Sequence, residues 1–225
     1  MPDWVDPVAH YMLEQGLRGT LQLAAISLLG ALVIGVLFGT LLTIEFRPLS
    51  WAIRLYIEIW RGLPIVVTIF IIFFALPAIG QTLEFSPLTA AGIGLILWGS
   101  AQVAEATRGA VGSIPREQHE AAAALGFGWV GRHVFVILPQ ALRRLLPPVV
   151  GLAVNIIQNT TIAQVIGANE LLESGERSVE RLTAPPPIGL GEVHAFEIYG
   201  AVMVVFFAIS FPLTRLAAYL ERRLT

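Results

Sequence analysis

Residues 21–44 read LQLAAISLLGALVIGVLFGTLLTI, and none of these 24 side chains carries a charge. A helix crosses the hydrocarbon core of a membrane with about 20 mostly apolar residues. A stretch of this length and composition therefore predicts a transmembrane helix. It also favours helices elsewhere in the chain, because backbone groups inside a bilayer must be hydrogen-bonded within helices or closed barrels.

Four further apolar segments resemble the first in length. The segment near the C-terminus is the shortest, and Tyr199 and Tyr219 are expected to anchor it at the membrane surfaces. Proline and glycine between the second and third spans predict a tight hairpin there. The expectation is an all-α polytopic membrane protein with about five transmembrane helices in a single domain over residues 1–225. The further spans are predicted at 63–83, 85–104, 145–169 and 198–214.

The composition supports a membrane protein. Hydrophobic residues make up 56% of the 225 residues and charged residues 13%, whereas soluble domains carry about 25% charged residues. The mean hydropathy is +0.74. The chain has no cysteine, which excludes disulfides, thiol nucleophiles and cysteine-ligated metal sites.

The arginines predict the orientation, because cytoplasmic segments of membrane proteins hold excess positive charge. With five spans, segments 45–62 and 105–144 and the C-terminus share one side and hold 11 of the 14 basic residues. The other side holds three. The N-terminus is therefore predicted outside and the C-terminus inside, with a partly helical external loop at about 170–197.

Residues 116–144 read REQHEAAAALGFGWVGRHVFVILPQALRR and lie on the predicted cytoplasmic side. Pro115 suits the start of a helix, and acidic side chains near that start favour the helix dipole. Gly126 and Gly128 are expected to end the helix. The pattern predicts a short exposed helix with a small alanine face, then a glycine-rich turn and a second helix reaching Pro139.

This stretch resembles the EAA loop of ABC importer permeases in the polar amino acid uptake family, which have a MetI-like fold. In that family Ile usually stands where this chain has Val136. The resemblance implies that the loop, at about 112–140, docks into a separate ATP-binding subunit. The matching positions are Glu120, Ala121, Ala122, Gly126, Val136, Leu138 and Pro139.

Other motifs of the same family follow in order between residues 53 and 171, at 61–64 (RGLP), 104–109 (AEATRG), 138–148 (LPQALRRLLPP) and 165–171 (VIGANEL). The resemblance implies a multi-pass permease of the bacterial inner membrane that is not itself an enzyme. The implied partners are a second permease subunit, identical or paralogous, two ATP-binding subunits that bind ATP and Mg²⁺, and an extracytoplasmic substrate-binding protein. The implied substrate is a polar or neutral amino acid. No nucleic acid or cofactor of this chain is expected.

Two other classes stay open on composition alone. A gradient-driven transporter or channel would carry intramembrane acids or inverted repeats, and the middle of each predicted span has no acid. A membrane scaffold without transport activity would not associate with an ATPase. An ordinary linker helix is the alternative interpretation of residues 116–144.

Polar side chains near two predicted spans are candidates for the substrate pathway, because such groups seldom face lipid. Glu58 and Arg61, like Glu105 and Arg108, lie three apart on one helix face, so each pair is either a local salt bridge or part of the pathway. The polar residues in the fourth span either bond neighbouring helices or line a substrate cavity. They are Asn155 and the pathway candidates Gln158, Asn159, Thr160 and Thr161.

The family often has Lys-Asp where this chain has Gln158 and Asn159, and the loss of both charges implies a neutral substrate or a site supplied by the partner. No catalytic set is recognisable in the sequence. The four histidines share no metal-ligand spacing, so no metal site is expected, and each is predicted to be solvated or interfacial: His10, His119, His133 and His194.

Overall fold

The structure is a computed structural model that describes residues 2–44, 46–80, 83–186 and 188–224. Every regular element in these residues is helical, as the sequence predicts. The helical segments of the described chain are α1 (Val5–Leu41), α2 (Arg47–Gly62), α3 (Ile65–Ile79), α4 (Pro87–Gly112), α5 (Arg116–Ala124), α6 (Trp129–Ile166), α7 (Leu171–Thr183) and α8 (Ala195–Leu224).

Four of these helices are long and apolar enough to cross a membrane: α1 with 37 residues, α4 with 26, α6 with 38 and α8 with 30. A fifth span exists if α2 and α3 count as one broken span. Each long helix extends beyond the predicted apolar segment at one end or both, where polar residues continue the helix, but α1, α4 and α6 stop two or three residues short of the other predicted end. Four or five spans agree with the expectation of about five.

The second predicted span, 63–83, contains a shorter helix, α3, which counts as a membrane span only together with α2. Leu63 and Pro64 are both extended, with ψ of 139° and 133°, and separate α2 from α3. Proline disfavours helical geometry in the residue before it, which explains the break. On its own α3 is shorter than the roughly 20 residues a crossing needs. Residues 81 and 82 of the predicted span lie outside the described residues.

The helix predicted after the glycine-rich turn and the fourth predicted span are one continuous helix, α6. It passes through Pro147 and Pro148 without interruption. Prolines are tolerated in membrane helices where neighbouring groups satisfy the freed carbonyls. The helix narrows to a 3₁₀ helix at Thr160–Ile166 and stops at Gly167, whose φ of 71° is left-handed.

Two compact units divide the chain. The first comprises Met1–Leu28, Pro64–Leu95 and Val154–Pro212, and the second comprises Leu29–Leu63, Ile96–Ala153 and Leu213–Thr225.

In the first unit, α7 packs on the N-terminal part of α1 and the start of α8. Its apolar core contains Met12, Leu171, Leu182, Ile198 and Val202. The predicted loop at 170–197 is thus helical in its first half, and its acidic start is buried.

The start of α7 is held against α1 by polar bonds. The buried Glu170 carboxylate accepts the backbone N–H groups of Leu172 (3.0 Å) and Glu173 (2.7 Å) and so caps the helix. The Thr20 hydroxyl accepts the Leu171 N–H at 3.0 Å. Gly19 permits this approach, because a Cβ there would lie 2.1 Å from the Asn169 carbonyl oxygen.

In the second unit, the C-terminal end of α4 packs on the first half of α6 through Val111, Ile114, Ile137 and Ala141. The Arg144 guanidinium on α6 also donates to the hydroxyl of Ser113, the residue after α4, at 2.8 Å. These bonds fix the segment between α4 and α6, which carries the candidate site.

Candidate functional site

Helix α5 forms for the reasons that the sequence suggests. Pro115 is its extended N-cap, Glu117 lies in its first turn, and alanines with high helix propensity fill its end. Gly126 follows with a left-handed φ of 85°. The N–H of Gly126 bonds the Ala123 carbonyl at 2.9 Å and the N–H of Phe127 bonds the Ala122 carbonyl at 3.1 Å, which is a Schellman termination.

Most side chains of the coupling loop (residues 112–140) point away from the chain. Glu120 and Ala121 are exposed, and Leu125 and Val130 are 78% and 66% exposed. Several exposed apolar side chains in one short segment are typical of surfaces that bind a partner. Ala122, by contrast, is buried, with 2% exposure.

The charge of Glu120 has a local partner. Nε of Arg116 donates to its carboxylate at 2.9 Å, and both side chains are largely exposed. Such a surface pair contributes about 0–1 kcal/mol, so another subunit can replace it at little cost.

Leu138 and Pro139 lie on α6, away from Glu120 in sequence. Leu138 packs against the cluster between α4 and α6, and Pro139 is exposed. The next residue, Gln140, donates from its amide to the Gln118 side chain at 3.3 Å, which ties α6 to α5. The described chain thus brings the two halves of the EAA motif into one folded segment.

His133 is buried, not solvated or interfacial as predicted, with 2% exposure. Its ring stacks on Trp129 at 4.1 Å between centroids and lies 6.1 Å from the ring of His119. The sequence did contain a signal, because His133 shares a buried stripe of α6, at spacings of four, with Ile137 and Ala141. Burial and the Arg132 charge lower the pKa of His119.

The candidate pathway residues of α6 lie where the helix changes from α to 3₁₀. The Thr160 hydroxyl donates to the Ile157 carbonyl at 2.8 Å and the Thr161 hydroxyl to the Gln158 carbonyl at 2.7 Å. The Asn159 amide donates to the Asn155 carbonyl at 2.8 Å. These bonds stay within α6, so in the described residues these three side chains do not join neighbouring helices.

Gln158 is exposed, and no side-chain hydrogen bond to it is found in the described part of the chain. An unpaired amide facing lipid would cost several kcal/mol. The side chain therefore requires water or another molecule beside it.

The two acid–arginine pairs differ. Glu105 and Arg108 form a two-point ion pair, with the Nε–Oε2 contact at 3.1 Å. Glu58 and Arg61 are both exposed on α2, and no ion pair between them is found in the residues that the structure covers. The local salt bridge is thus confirmed for one pair only. Nor do the described residues contain a group of three or more metal-ligating side chains.

The fold matches solved ABC transporters. One is an amino acid ABC transporter crystallised with histidines, with a TM-score of 0.81 and 24% identity over 99% of both chains. Another is the MetNI methionine transporter in an inward-facing conformation, with a TM-score of 0.79 and 20% identity over the full length of both chains. At these identities the likeness establishes the fold.

Sequence comparison also identifies the family to which the chain belongs. The chain is 37% identical over 213 residues to the glutamine transport system permease protein GlnP of Escherichia coli K12, covering 95% of this chain and 93% of that protein. It is 34% identical over 214 residues to the probable glutamine ABC transporter permease protein GlnP of Bacillus subtilis, covering 95% and 94%. Residues 31–225 match the family described as binding-protein-dependent transport system inner membrane components. The chain therefore belongs to this family and is the multi-pass, non-enzymatic permease subunit of an amino acid ABC importer in the cytoplasmic membrane.

Proposed function

We propose that the coupling loop is the surface on which an ATP-binding subunit docks, with Glu120, Ala121 and Gly126 at its centre. The observation that carries the proposal is the exposed, glycine-terminated end of α5. Glu120 offers a charge-assisted hydrogen bond, and Ala121 lets a foreign surface approach closely. Ala122, Leu138 and Pro139 support the loop, since Ala122 and Leu138 pack within the same unit.

Closure of the ATP-binding subunits would move the loop, and α6 would carry that movement toward the pathway. The continuity of α6 from Trp129 to Ile166 supports this, because one helix holds both the exit of the loop and Gln158. ATP and Mg²⁺ are bound by the partner in this proposal and not by this chain.

The proposed substrate is glutamine or a similar neutral polar amino acid. Two relatives are named as glutamine permeases, and the α6 pathway segment carries amides and hydroxyls without a charge. Gln158, Asn159, Thr160 and Thr161 would line the substrate route, with Glu58 and Arg61 on α2 as further members. The strongest support is the exposed amide of Gln158, which has no partner among the described residues, since amides donate and accept hydrogen bonds as glutamine does.

Family membership implies ATPase partners and a substrate-binding protein in general. The finer proposal is an assembly of two permease subunits, identical or paralogous, with two ATP-binding subunits and one extracytoplasmic binding protein delivering substrate.

The test of docking is Glu120→Ala, with Glu117→Ala as the matched control one turn earlier on the same exposed helix. We expect Glu120→Ala to insert in the membrane but to lose uptake and coupled ATP hydrolysis by about tenfold or more, given the typical strength of a charged hydrogen bond. Glu117→Ala should behave like the natural chain. Gly126→Asp should fail in the same way as Glu120→Ala. Uptake at the natural rate by Glu120→Ala or Gly126→Asp would reject docking at this loop.

A further inference from the structure

The end of α1 is joined to the coupling loop by a partly buried hydrogen bond that no motif of the sequence indicates. Thr43 lies two residues after Leu41, the last residue of α1, and its hydroxyl lies 3.0 Å from Nε2 of His133. The two residues are 90 positions apart in the chain. In the described residues, this is the one side-chain hydrogen bond between the end of α1 and residues 112–140.

The orientation of the His133 ring is fixed from two sides. Its Nδ1 lies 2.9 Å from the backbone carbonyl of Trp129, and the Trp129 ring stacks on its face at 4.1 Å. A carbonyl only accepts hydrogen bonds, so Nδ1 must carry a proton. In the neutral ring, Nε2 is then an acceptor directed at the Thr43 hydroxyl.

The contact is compatible with both charge states of the ring. If Nε2 is also protonated, it donates to the Thr43 oxygen, and the Thr43 hydroxyl donates to the Thr40 carbonyl, 2.7 Å away. A link that survives either protonation state suits a mechanical role better than a titrating one.

The loop side of the link is stiff. Gln118 on α5 bonds Gln140 on α6, and the His119 ring meets the His133 ring edge-on. Helix α5, the glycine turn and the first turns of α6 are thus held to the residue that contacts Thr43. This hydrogen bond is partly buried, and water competes less with it than with one on the surface.

We propose that His133 and Thr43 make the end of α1 move with the coupling loop, so that docking of the ATPase acts on α1 as well as on α6. His133 is a positioning residue in this mechanism. The proposal rests on the proposed docking function, and it assigns a transmission role to two residues outside the EAA motif.

The test distinguishes the hydrogen bond of His133 to Thr43 from its hydrogen bond to the Trp129 carbonyl. It uses the assembled transporter, reconstituted with its ATP-binding subunit and binding protein, and glutamine is the supplied amino acid. Thr43→Val removes the hydroxyl and keeps the shape, while Thr43→Ser keeps the hydroxyl. His133→Asn keeps a donor for the Trp129 carbonyl but not the reach to Thr43, while His133→Gln keeps that reach. Thr40→Val is the matched control, because among the described residues the Thr40 hydroxyl bonds only the carbonyl of Val36 in its own helix.

We expect Thr43→Val and His133→Asn to co-purify with the ATP-binding subunit and to keep basal ATP hydrolysis. Their stimulation by the loaded binding protein should fall roughly three- to tenfold, as expected for loss of one hydrogen bond. Thr43→Ser, His133→Gln and Thr40→Val should stay near the natural value. Natural stimulation in Thr43→Val would overturn the inference, and this isosteric variant decides the matter if His133→Asn fails to insert.

A distance measurement tests the movement itself. The chain has no cysteine, so Leu37→Cys on α1 and Glu117→Cys on α5 can carry spin labels. In the otherwise natural chain, the distance between the labels should be the same in the nucleotide-free and ATP-bound states. In Thr43→Val, the distance should differ between these two states by more than about 2 Å, which is the scale of helix shifts in such transitions. An unchanged distance in Thr43→Val would refute the link. Failure of the natural chain to bind the ATPase would refute docking instead.

Discussion

At the scale of single residues, the best-buried carboxylate of the described chain belongs to Glu170. Its exposure is 0%, and its oxygens cap α7. Burial raises the pKa of Glu170 above its ordinary value of 4.5, against the lowering effect of the N–H groups of Leu172 and Glu173. The folded chain therefore holds this proton more tightly than the unfolded chain does.

The sign of the pH dependence follows from that difference. The stabilisation is fully present below pH 4.5 and is lost as pH rises through the higher folded pKa of Glu170. We expect the melting temperature in detergent to fall over this range, and Glu170→Gln to flatten the slope. Glu180→Gln, an exposed change on the same helix, should leave the slope unchanged. An identical slope in Glu170→Gln and the natural chain would show that another group controls it.

His133 shows why residue-level roles were harder to predict than helices. The four-residue spacing of His133 and Ile137 on one helix face is a local signal for burial. The hydrogen bond to Thr43, however, depends on the folded arrangement of distant segments. Sequence spacing reports neighbours along one helix, not contacts between distant segments. Ala122 is a similar case, since the EAA motif does not show which alanine faces inward.

At the scale of helices, the sequence predicted α5 and its end well because both depend on local chemistry. Proline at the start and glycine in a left-handed conformation at the end act within one turn. The break between α2 and α3 was also encoded locally, in Leu63–Pro64, and the predicted second span begins at this break. The length of α6 was missed because the sequence was divided into a helix that reaches Pro139 and a separate span that begins at residue 145, whereas Trp129–Ile166 is one helix.

The two glycines of the turn after α5 allow a direct test of its geometry. Gly126 has a φ of 85°, whereas Gly128 has a φ of −67° and open space around it. Gly126→Ala should destabilise the turn by about 1–2 kcal/mol, the cost of left-handed geometry for a residue with a Cβ. Gly128→Ala should be nearly neutral.

Hydrogen exchange at the end of α5 measures this difference. The amides of Gly126 and Phe127 close the turn and should lose protection in Gly126→Ala alone. Equal protection in the two variants would mean that the backbone at residue 126 is not constrained as described.

At the scale of the whole molecule, the orientation in the membrane is still a prediction from the arginine distribution. Leu125 and Ile188 are exposed by 78% and 76% and lie in segments predicted on opposite sides. A membrane-impermeant thiol reagent should label Ile188→Cys in intact cells and Leu125→Cys only after permeabilisation. Labelling of Leu125→Cys in intact cells would invert the topology and remove the coupling loop from the reach of any cytoplasmic ATPase.

The uncovered side chains of the coupling loop also affect the life of the isolated subunit. Leu125 and Val130 leave apolar surface in contact with water, and each square ångström costs about 25 cal/mol relative to burial. A chain made without its ATPase thus exposes apolar surface that favours aggregation and recognition by quality-control proteases. Balanced synthesis of the two subunits would protect the cell from both outcomes, and heterologous production should yield more intact material when both genes are expressed together.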